Sequence, residues 1–280
     1  MLPLSRADAD VFVPDGRAED EAFARVTHLG IGAHADDLEI MAYHGIRAGQ
    51  AGRLPGFGGV VCTDGAGAPT PDGESAELRR IRREEQRAAA RRGRYAASIQ
   101  LGHPSEDVKA GVAPAVVDDL AGLLDVTRPE IVYTHSPADT HATHVGVCVA
   151  TLEAIGRLPG PARPRKLLGC EVWGGLDWLA SDARVALDLG ADDASWSALM
   201  RIFGSQIHAR PYDQGALGRS RANAVFREAR EAGGGERLWL AMDLTPLIRD
   251  DAPDLESFVR EHLERFARDV LDRIASAHGH

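Results

Sequence analysis

From Val26 onward the chain alternates short apolar runs with longer segments of helical spacing, and that alternation admits few folds. The run from Val26 to Ala33 (VTHLGIGA) reads as a strand, and DDLEIMAYHGIRAG after it spaces its apolar positions like one helix. GGVVCT precedes a helix from Glu74 to Arg94, ASIQL precedes a helix from Ala113 to Val126, and EIVYTH precedes a helix from about His141 to Ile155. Strands alternating with helices imply βαβ units, a parallel sheet and right-handed crossovers. The expected fold is therefore α/β, a Rossmann-like open, mostly parallel sheet with helices on both faces and a core at about residues 24–155. Further on, LLGCEVW, ARVALDLG and RLWLAMDL read as strands added to the sheet, with helices at 194–208, 215–232 and 255–275. Residues 156–166 (GRLPGPARPRK) read as a long surface connection, rich in Pro and Gly. One domain over 1–280, with C-terminal additions from about 167, is the expected organisation.

Composition removes several functional classes. At 44% hydrophobic and 26% charged, the 280 residues can form a sizeable core. The net charge of −10 opposes a nucleic-acid backbone or an anionic membrane, since phosphate binding needs clustered Lys and Arg. No apolar run is long enough to span a bilayer, and the first residues lack the basic start and apolar stretch of a secretory signal. Cys62, Cys148 and Cys170 are odd in number and far apart, so they read as buried thiols in a reducing cytoplasm. A small-molecule partner is expected, with homo-oligomerisation left open.

Ligands of open parallel sheets bind where strands end and helices begin. At the first such junction, GIGAHA fits a variant dinucleotide fingerprint, but Asp36 and Asp37 would sit where a phosphate must go. The other reading is a metal site: His34 and Asp37 are three apart at a helix start and can reach one cation, leaving Asp36 free to act on water. Capping by two acids in a first helical turn explains the same residues without a ligand. A second cluster after EIVYTH, with Asp139, His141 and His144, lies at another strand-to-helix junction and favours the metal reading.

These residues resemble the LmbE-like, or PIG-L-type, zinc-dependent de-N-acetylases. The family's first motif, AHPDD with a following Glu, is matched by Ala33-His34-Ala35-Asp36-Asp37-Leu38-Glu39, and its HxDH motif by His141-Ala142-Thr143-His144. Thr63-Asp64-Gly65, Arg82-Arg83-Glu84-Glu85-Gln86 and, more weakly, Ser205-Gln206 fall in the expected order. The resemblance covers about residues 26–150 and implies that His34, Asp37 and His144 ligate Zn2+ or another divalent metal, that Asp36 is the general base, and that His141 steadies the oxyanion and protonates the leaving amine. It implies removal of an acetyl group from an N-acetylated amino sugar, such as an N-acetylglucosaminyl conjugate, with release of acetate. The alternatives are a nicotinamide-dependent oxidoreductase on the GIGAHA turn, or a non-catalytic metal- or sugar-binding relative.

In the helix at 74–94, Arg82 and Glu85 complete the apolar stripe, so they pair with each other or with substrate, and Arg82 is the candidate for substrate binding. Thr143 departs from the family, which has Asp there to orient the preceding histidine; Asp139 is the candidate substitute and also a substrate-binding candidate. Met41, Tyr43 and His44 replace smaller residues and are expected to narrow the pocket, and Trp173 reads as core rather than as a sugar platform. The loop at 63–73 suits a lid or an ordinary surface loop equally.

Overall fold

The computed structural model describes residues 3–65, 75–208, 210–226 and 235–279. Its strands are β1 (Asp10–Phe12), β2 (His28–Gly32), β3 (Phe57–Thr63), β4 (Ala97–His103), β5 (Ile131–His135), β6 (Lys166–Cys170), β7 (Arg184–Asp188) and β8 (Leu238–Asp243). Its helices are α1 (Glu19–Ala24), α2 (Asp37–Met41), α3 (Tyr43–Gln50), α4 (Ser75–Gly93), α5 (Ser105–Lys109), α6 (Pro114–Thr127), α7 (Ala142–Gly156), α8 (Asp193–Met200), α9 (Gly204–Ile207), α10 (Tyr212–Val225) and α11 (Leu255–Ala277). All eight strands form one sheet in the order β1-β4-β3-β2-β5-β6-β8-β7. The run from β4 to β6 is parallel, while β1, β8 and β7 pair antiparallel at the flanks. This is the expected mostly parallel α/β fold.

The sheet is buried on both faces by two apolar clusters. One gathers residues of α1, α6, α7 and the start of α11 against Leu29 and Ile31 of β2. The other gathers residues of α2, α3, α4, α8 and α10. On this second face β2 presents Gly30 and Gly32: a Cβ at Gly30 would lie 3.0 Å from both Leu38 Cδ2 and Phe57 Cζ, and one at Gly32 3.1 Å from Asp37 Cβ. The glycines of GIG thus let α2 lie close upon β2, which brings Asp37 to the strand end.

Chain direction sets the position of the site. From β2 the strands add outward to β3 and β4, after which β5 returns to pair with the other side of β2 and continues to β6. The order reverses between β2 and β5, so a crevice opens at their carboxyl ends, where a doubly wound sheet receives its ligands.

Several expectations change. The helix expected after β2 is two, broken at Ala42, where the Trp196 indole N–H donates to the Glu39 carbonyl that an unbroken helix would pair with the Tyr43 N–H. The helix at 194–208 is likewise split into α8 and α9. The segment 157–165 is the expected surface connection, returning from α7 to β6 with Leu158 and Ala162 buried beneath it. β1, α1 and α5 were not expected from the sequence. The tip of the 63–73 loop and the end of the 215–232 helix lie outside the described residues. No described helix is long and apolar enough to cross a membrane. Cys62, Cys148 and Cys170 are free and buried, and burial pushes the Cys148 thiol up to about 12.

Candidate functional site

After β2 the backbone turns sharply at Asp36, which adopts φ 88°, a left-handed conformation that few non-glycine residues hold. Such a residue costs about 1–3 kcal/mol and persists only where its surroundings impose it. The next residue, Asp37, opens α2 and folds its carboxylate back, so that Oδ2 accepts from the His34 N–H at 2.7 Å and the Ala33 N–H at 3.0 Å. The backbone donors that a dinucleotide fingerprint would offer to a pyrophosphate are therefore taken by the chain's own carboxylate.

The β5 end supplies the opposing wall. Asp37 lies 3.4 Å from His34 Nδ1, 3.3 Å from His135 Nε2 and 3.5 Å from His144 Nε2. The His135 and His144 rings stack with centroids 3.9 Å apart, and the His141 ring lies 4.6 Å from His144 and 5.1 Å from His34. Asp139 sits behind them: Oδ1 accepts from the His141 backbone N–H at 2.8 Å, Oδ2 accepts from the Trp173 N–H at 3.0 Å, and Oδ2 lies 3.4 Å from His144 Nδ1.

These buried contacts leave polar atoms unsatisfied. His135 Nδ1, His141 Nδ1, both ring nitrogens of His144 and Thr143 Oγ1 have no hydrogen-bond partner. Buried polar groups ordinarily find partners, and three imidazoles gathered round one carboxylate, with both nitrogens of His144 left unpaired, are what a cation site presents. Among the described residues two overlapping triads have ligand atoms within 4.8 Å of one another, His34/His141/His144 and Asp37/His135/His144. The donor set therefore fits a divalent metal of the zinc type, which prefers imidazole and carboxylate ligands.

The electrostatics separate the two adjacent aspartates. Burial, then the neighbouring charges of Asp37 and Glu39, raise the Asp36 carboxyl well above its usual range, against the pull of Arg82. Burial also opposes ionisation of Asp37, but the His144 and His135 rings hold it well below that range. Burial and His144 push His135 down to about 4. Burial, His144 and His34 lower His141. Asp37 and Asp139 raise His144 despite its burial.

A cavity of about 540 Å³ opens over the cluster, lined by His34, Asp36, Asp37, Arg82, His141 and Thr143 on this side. Its far wall comes from segments that carried no site expectation, with Lys109 of α5, Trp173 after β6, and Arg210, Tyr212 and Arg219 at α10. Arg82 donates to the Gly65 carbonyl and, at 3.0 Å, to Gln206 Oε1, while Gln206 donates to the Ala35 carbonyl at 2.9 Å. Glu85 accepts from Ser205, so Arg82 and Glu85 do not pair with each other.

The structure thus gathers His34, Asp36, Asp37, His141 and Arg82 at one cavity, with His144 fully buried against Asp37 and outside the lining. Asp139 does not line it; it faces His144 and the His141 backbone and leaves the His141 ring without a carboxylate. Met41 and Tyr43 are buried in the core and do not narrow the pocket, and His44 Nδ1 lies 3.0 Å from the Asp188 carbonyl. Trp173 is 42% exposed and part of the cavity wall, not core. His135 was missed. It ends the strand that delivers the second cluster, so an ionisable residue at a strand's carboxyl end was the available signal.

Comparison with known proteins bears on this site. Residues 29–155 match the family described as PIG-L, GlcNAc-PI de-N-acetylase, which carries both motifs, so the resemblance holds for this segment. Comparison with curated proteins finds no match. Among solved structures, N,N'-diacetylchitobiose deacetylase from Pyrococcus horikoshii, complexed with its inhibitor MPG, has a TM-score of 0.60 at 18% identity, covering 87% of this chain and 92% of that one. The zinc-inhibited form of teicoplanin deacetylase Orf2 has a TM-score of 0.54 at 18% identity, covering 80% and 99%. The 4-carboxy-2-hydroxymuconate hydratase GalB from Pseudomonas putida KT2440 has a TM-score of 0.55 at 17% identity, covering 78% and 96%. These likenesses establish a shared fold. Because one of them is a hydratase, chemistry has to be argued from the site.

Proposed function

We propose that the chain is a metal-dependent amide hydrolase that removes the acetyl group of an N-acetylated amino sugar or its conjugate, releasing acetate and a free amine. The observation that carries this reading is the gathering of His34, His135 and His144 round Asp37, with both His144 ring nitrogens unpaired, beside Asp36, a raised carboxyl held at positive φ on the cavity wall. The family match over 29–155 and the deacetylases among the structural neighbours support it.

His34, Asp37 and His144 would hold the metal, with zinc the first candidate, and His135 stacked behind His144. A zinc ion in such a set supplies Lewis acidity toward an amide carbonyl and lowers the pKa of water toward ~7. Asp36 accepts a proton from the attacking water as its oxygen bonds to the acetyl carbon. His141, which lines the same cavity, donates to the carbonyl oxygen as negative charge develops there, then passes its proton to the amine nitrogen as the C–N bond breaks. Arg82 and Gln206 hold each other at the Asp36 side and can orient a sugar hydroxyl. Trp173 and Tyr212, with ring centroids 5.8 Å apart, offer apolar faces to the ring carbons.

A nicotinamide reading has less support, because Asp37 occupies the N–H groups that a pyrophosphate would need. The test is acetate release from a panel of N-acetylglucosaminyl conjugates by zinc-loaded protein, with metal measured by elemental analysis. Metal-dependent release, lost together with bound metal in the His34→Ala/Asp37→Ala/His144→Ala variant, is expected. Stoichiometric metal in that variant would refute the ligand set, and metal-loaded wild type that releases no acetate from any conjugate would leave a binding protein.

A further inference from the structure

α11 has 23 residues, and among them Phe258 alone is buried. Phe258 and Val259 pack on the core, Phe266 meets Trp178 edge-on at 6.1 Å, and Arg265 binds Asp182 at 2.8 Å. Beyond these anchors Leu263, Phe266, Leu271 and Ile274 are 49%, 40%, 62% and 48% exposed. Leu263, Phe266, Val270 and Ile274 follow one another at helical spacing and form an apolar stripe that, apart from Phe266 against Trp178, is left largely to solvent. Helices draw most of their stability from such a packed stripe, so an uncovered one points to a missing partner.

The order of residues says what that partner is. When a copy of 263–274 is laid antiparallel to itself about the midpoint between Arg268 and Asp269, Leu263 comes level with Ile274, Phe266 with Leu271 and Ala267 with Val270. The charged positions come level with opposite signs: Glu264 with Arg273, Arg265 with Asp272, and Arg268 with Asp269. A parallel pairing would instead set every charge level with its own copy. This matching of a segment to its own reverse is what an isologous two-fold contact requires. A bilayer surface is a poor alternative, because helices that lie on membranes carry a basic polar face. In α11 five acids (Glu256, Glu261, Glu264, Asp269 and Asp272) are interspersed with four arginines (Arg260, Arg265, Arg268 and Arg273).

We propose that α11 is a homodimerisation element, pairing antiparallel with α11 of a second copy through Leu263, Phe266, Val270, Leu271 and Ile274 about a two-fold axis near Arg268 and Asp269. Trp178, packed on Phe266, extends the contact beyond the helices toward the ~800 Å² per partner of a standard interface.

Sedimentation or light scattering of the full chain at tens of micromolar should give twice the 30.0 kDa chain mass. Leu263→Asp/Ile274→Asp places two acids level with each other across the axis; it should give the single-chain mass with an unchanged far-ultraviolet helical signal. Register is read separately with a short bis-maleimide. Because all three native cysteines are buried, Val270→Cys should cross-link to a second copy and Glu256→Cys, far from the axis, should not. A monomeric wild type, or a dimer that persists in the double Asp variant, would overturn the proposal. So would equal cross-linking at both cysteine positions, which would mean a parallel pairing. Wild type that binds anionic phosphatidylglycerol vesicles and loses them in the double variant would reassign the stripe to a membrane.

Discussion

The molecule buries two histidine–aspartate clusters at the carboxyl ends of parallel strands of one sheet, and they differ in whether their partners suffice. At the end of β4, His103 Nε2 lies 2.9 Å from Asp119 Oδ2, and the other oxygen of Asp119 accepts from the Ser5 N–H at 2.7 Å and the Ser5 hydroxyl at 2.8 Å. Both residues are almost wholly buried, and the N-terminal segment is tied to α6 through them. At the ends of β2 and β5, His34, His135 and His144 lie 3.3–3.5 Å from Asp37, His141 stands beside them, and ring nitrogens of His135, His141 and His144 are left unpaired. Composition is the same in the two places. A cluster that satisfies itself is architecture; one that cannot fits a further ligand, and a cavity opens over the second.

The comparison breaks most directly at Asp36. Asp36→Asn removes the proton acceptor while leaving every ligand atom in place, so turnover should fall ~10²–10⁴-fold with metal content unchanged. Near-normal kcat with bound metal would show that Asp36 is not the base. Asp119→Ala attacks the other cluster and should cost about 3 kcal/mol of stability by stranding His103 and Ser5, with acetate release intact. Burial opposes ionisation of Asp119, yet His103 and Ser5 hold it below 3.8. Its contribution is therefore present above that value and lost as pH falls through it. Denaturant midpoints from pH 7 to pH 3 should show the acid loss in wild type and a weaker one in Asp119→Ala. Lost activity in folded Asp119→Ala would mean that the two clusters are not separate in function.

How much of this was legible in the sequence follows from the range of the interactions. The parallel core was legible because strand and helix periodicities are local, and both motifs were legible because each lies within a few residues of one strand end. The α2–α3 break was not, since the Trp196 indole that meets Glu39 comes from 157 residues away. His135 was passed over because it belongs to the strand rather than to the motif that follows it, and a lone histidine in a strand reads as packing. The far wall, with Lys109, Trp173 and Tyr212, comes from a short helix, a loop and the start of α10, which the motifs do not reach. Asp139 was visible, but its direction was not: only the fold turns its carboxylate to His144 rather than to the His141 ring.

That direction yields a smaller effect. Asp139 behind His144 is the carboxylate–imidazole arrangement that fixes a ligand's tautomer, and losing such support typically costs 10–100-fold in metal affinity. Burial opposes its ionisation, but His144 holds Asp139 down to about 2, so it is charged across the working pH range. Asp139→Asn loses the charge and one of the two acceptor oxygens that meet the His141 and Trp173 N–H groups, so zinc competition titrations should show weaker binding with the same stoichiometry. Unchanged affinity would make Asp139 a loop clamp like Asp119.

The finest test lies at Thr143, where the two clusters could be made more alike. Asp119 gives His103 a carboxylate; His141 has none, since Asp139 is turned away and the Thr143 hydroxyl is buried without a partner. Burial, His144 and His34 accordingly lower the His141 pKa below 6.5. If His141 donates a proton in catalysis, its acid form is lost as pH rises through that depressed value, and kcat/KM should decline from mildly acidic pH upward. A carboxylate at 143 favours the imidazolium and should move this basic limb of Thr143→Asp up by about one pH unit, a tenfold change in rate at a fixed pH on the limb. Zinc content and the far-ultraviolet spectrum should stay constant, which separates tuning of His141 from damage to the site. A limb that stays in place in a folded, metal-loaded Thr143→Asp would mean that His141 is not the group whose titration limits the reaction.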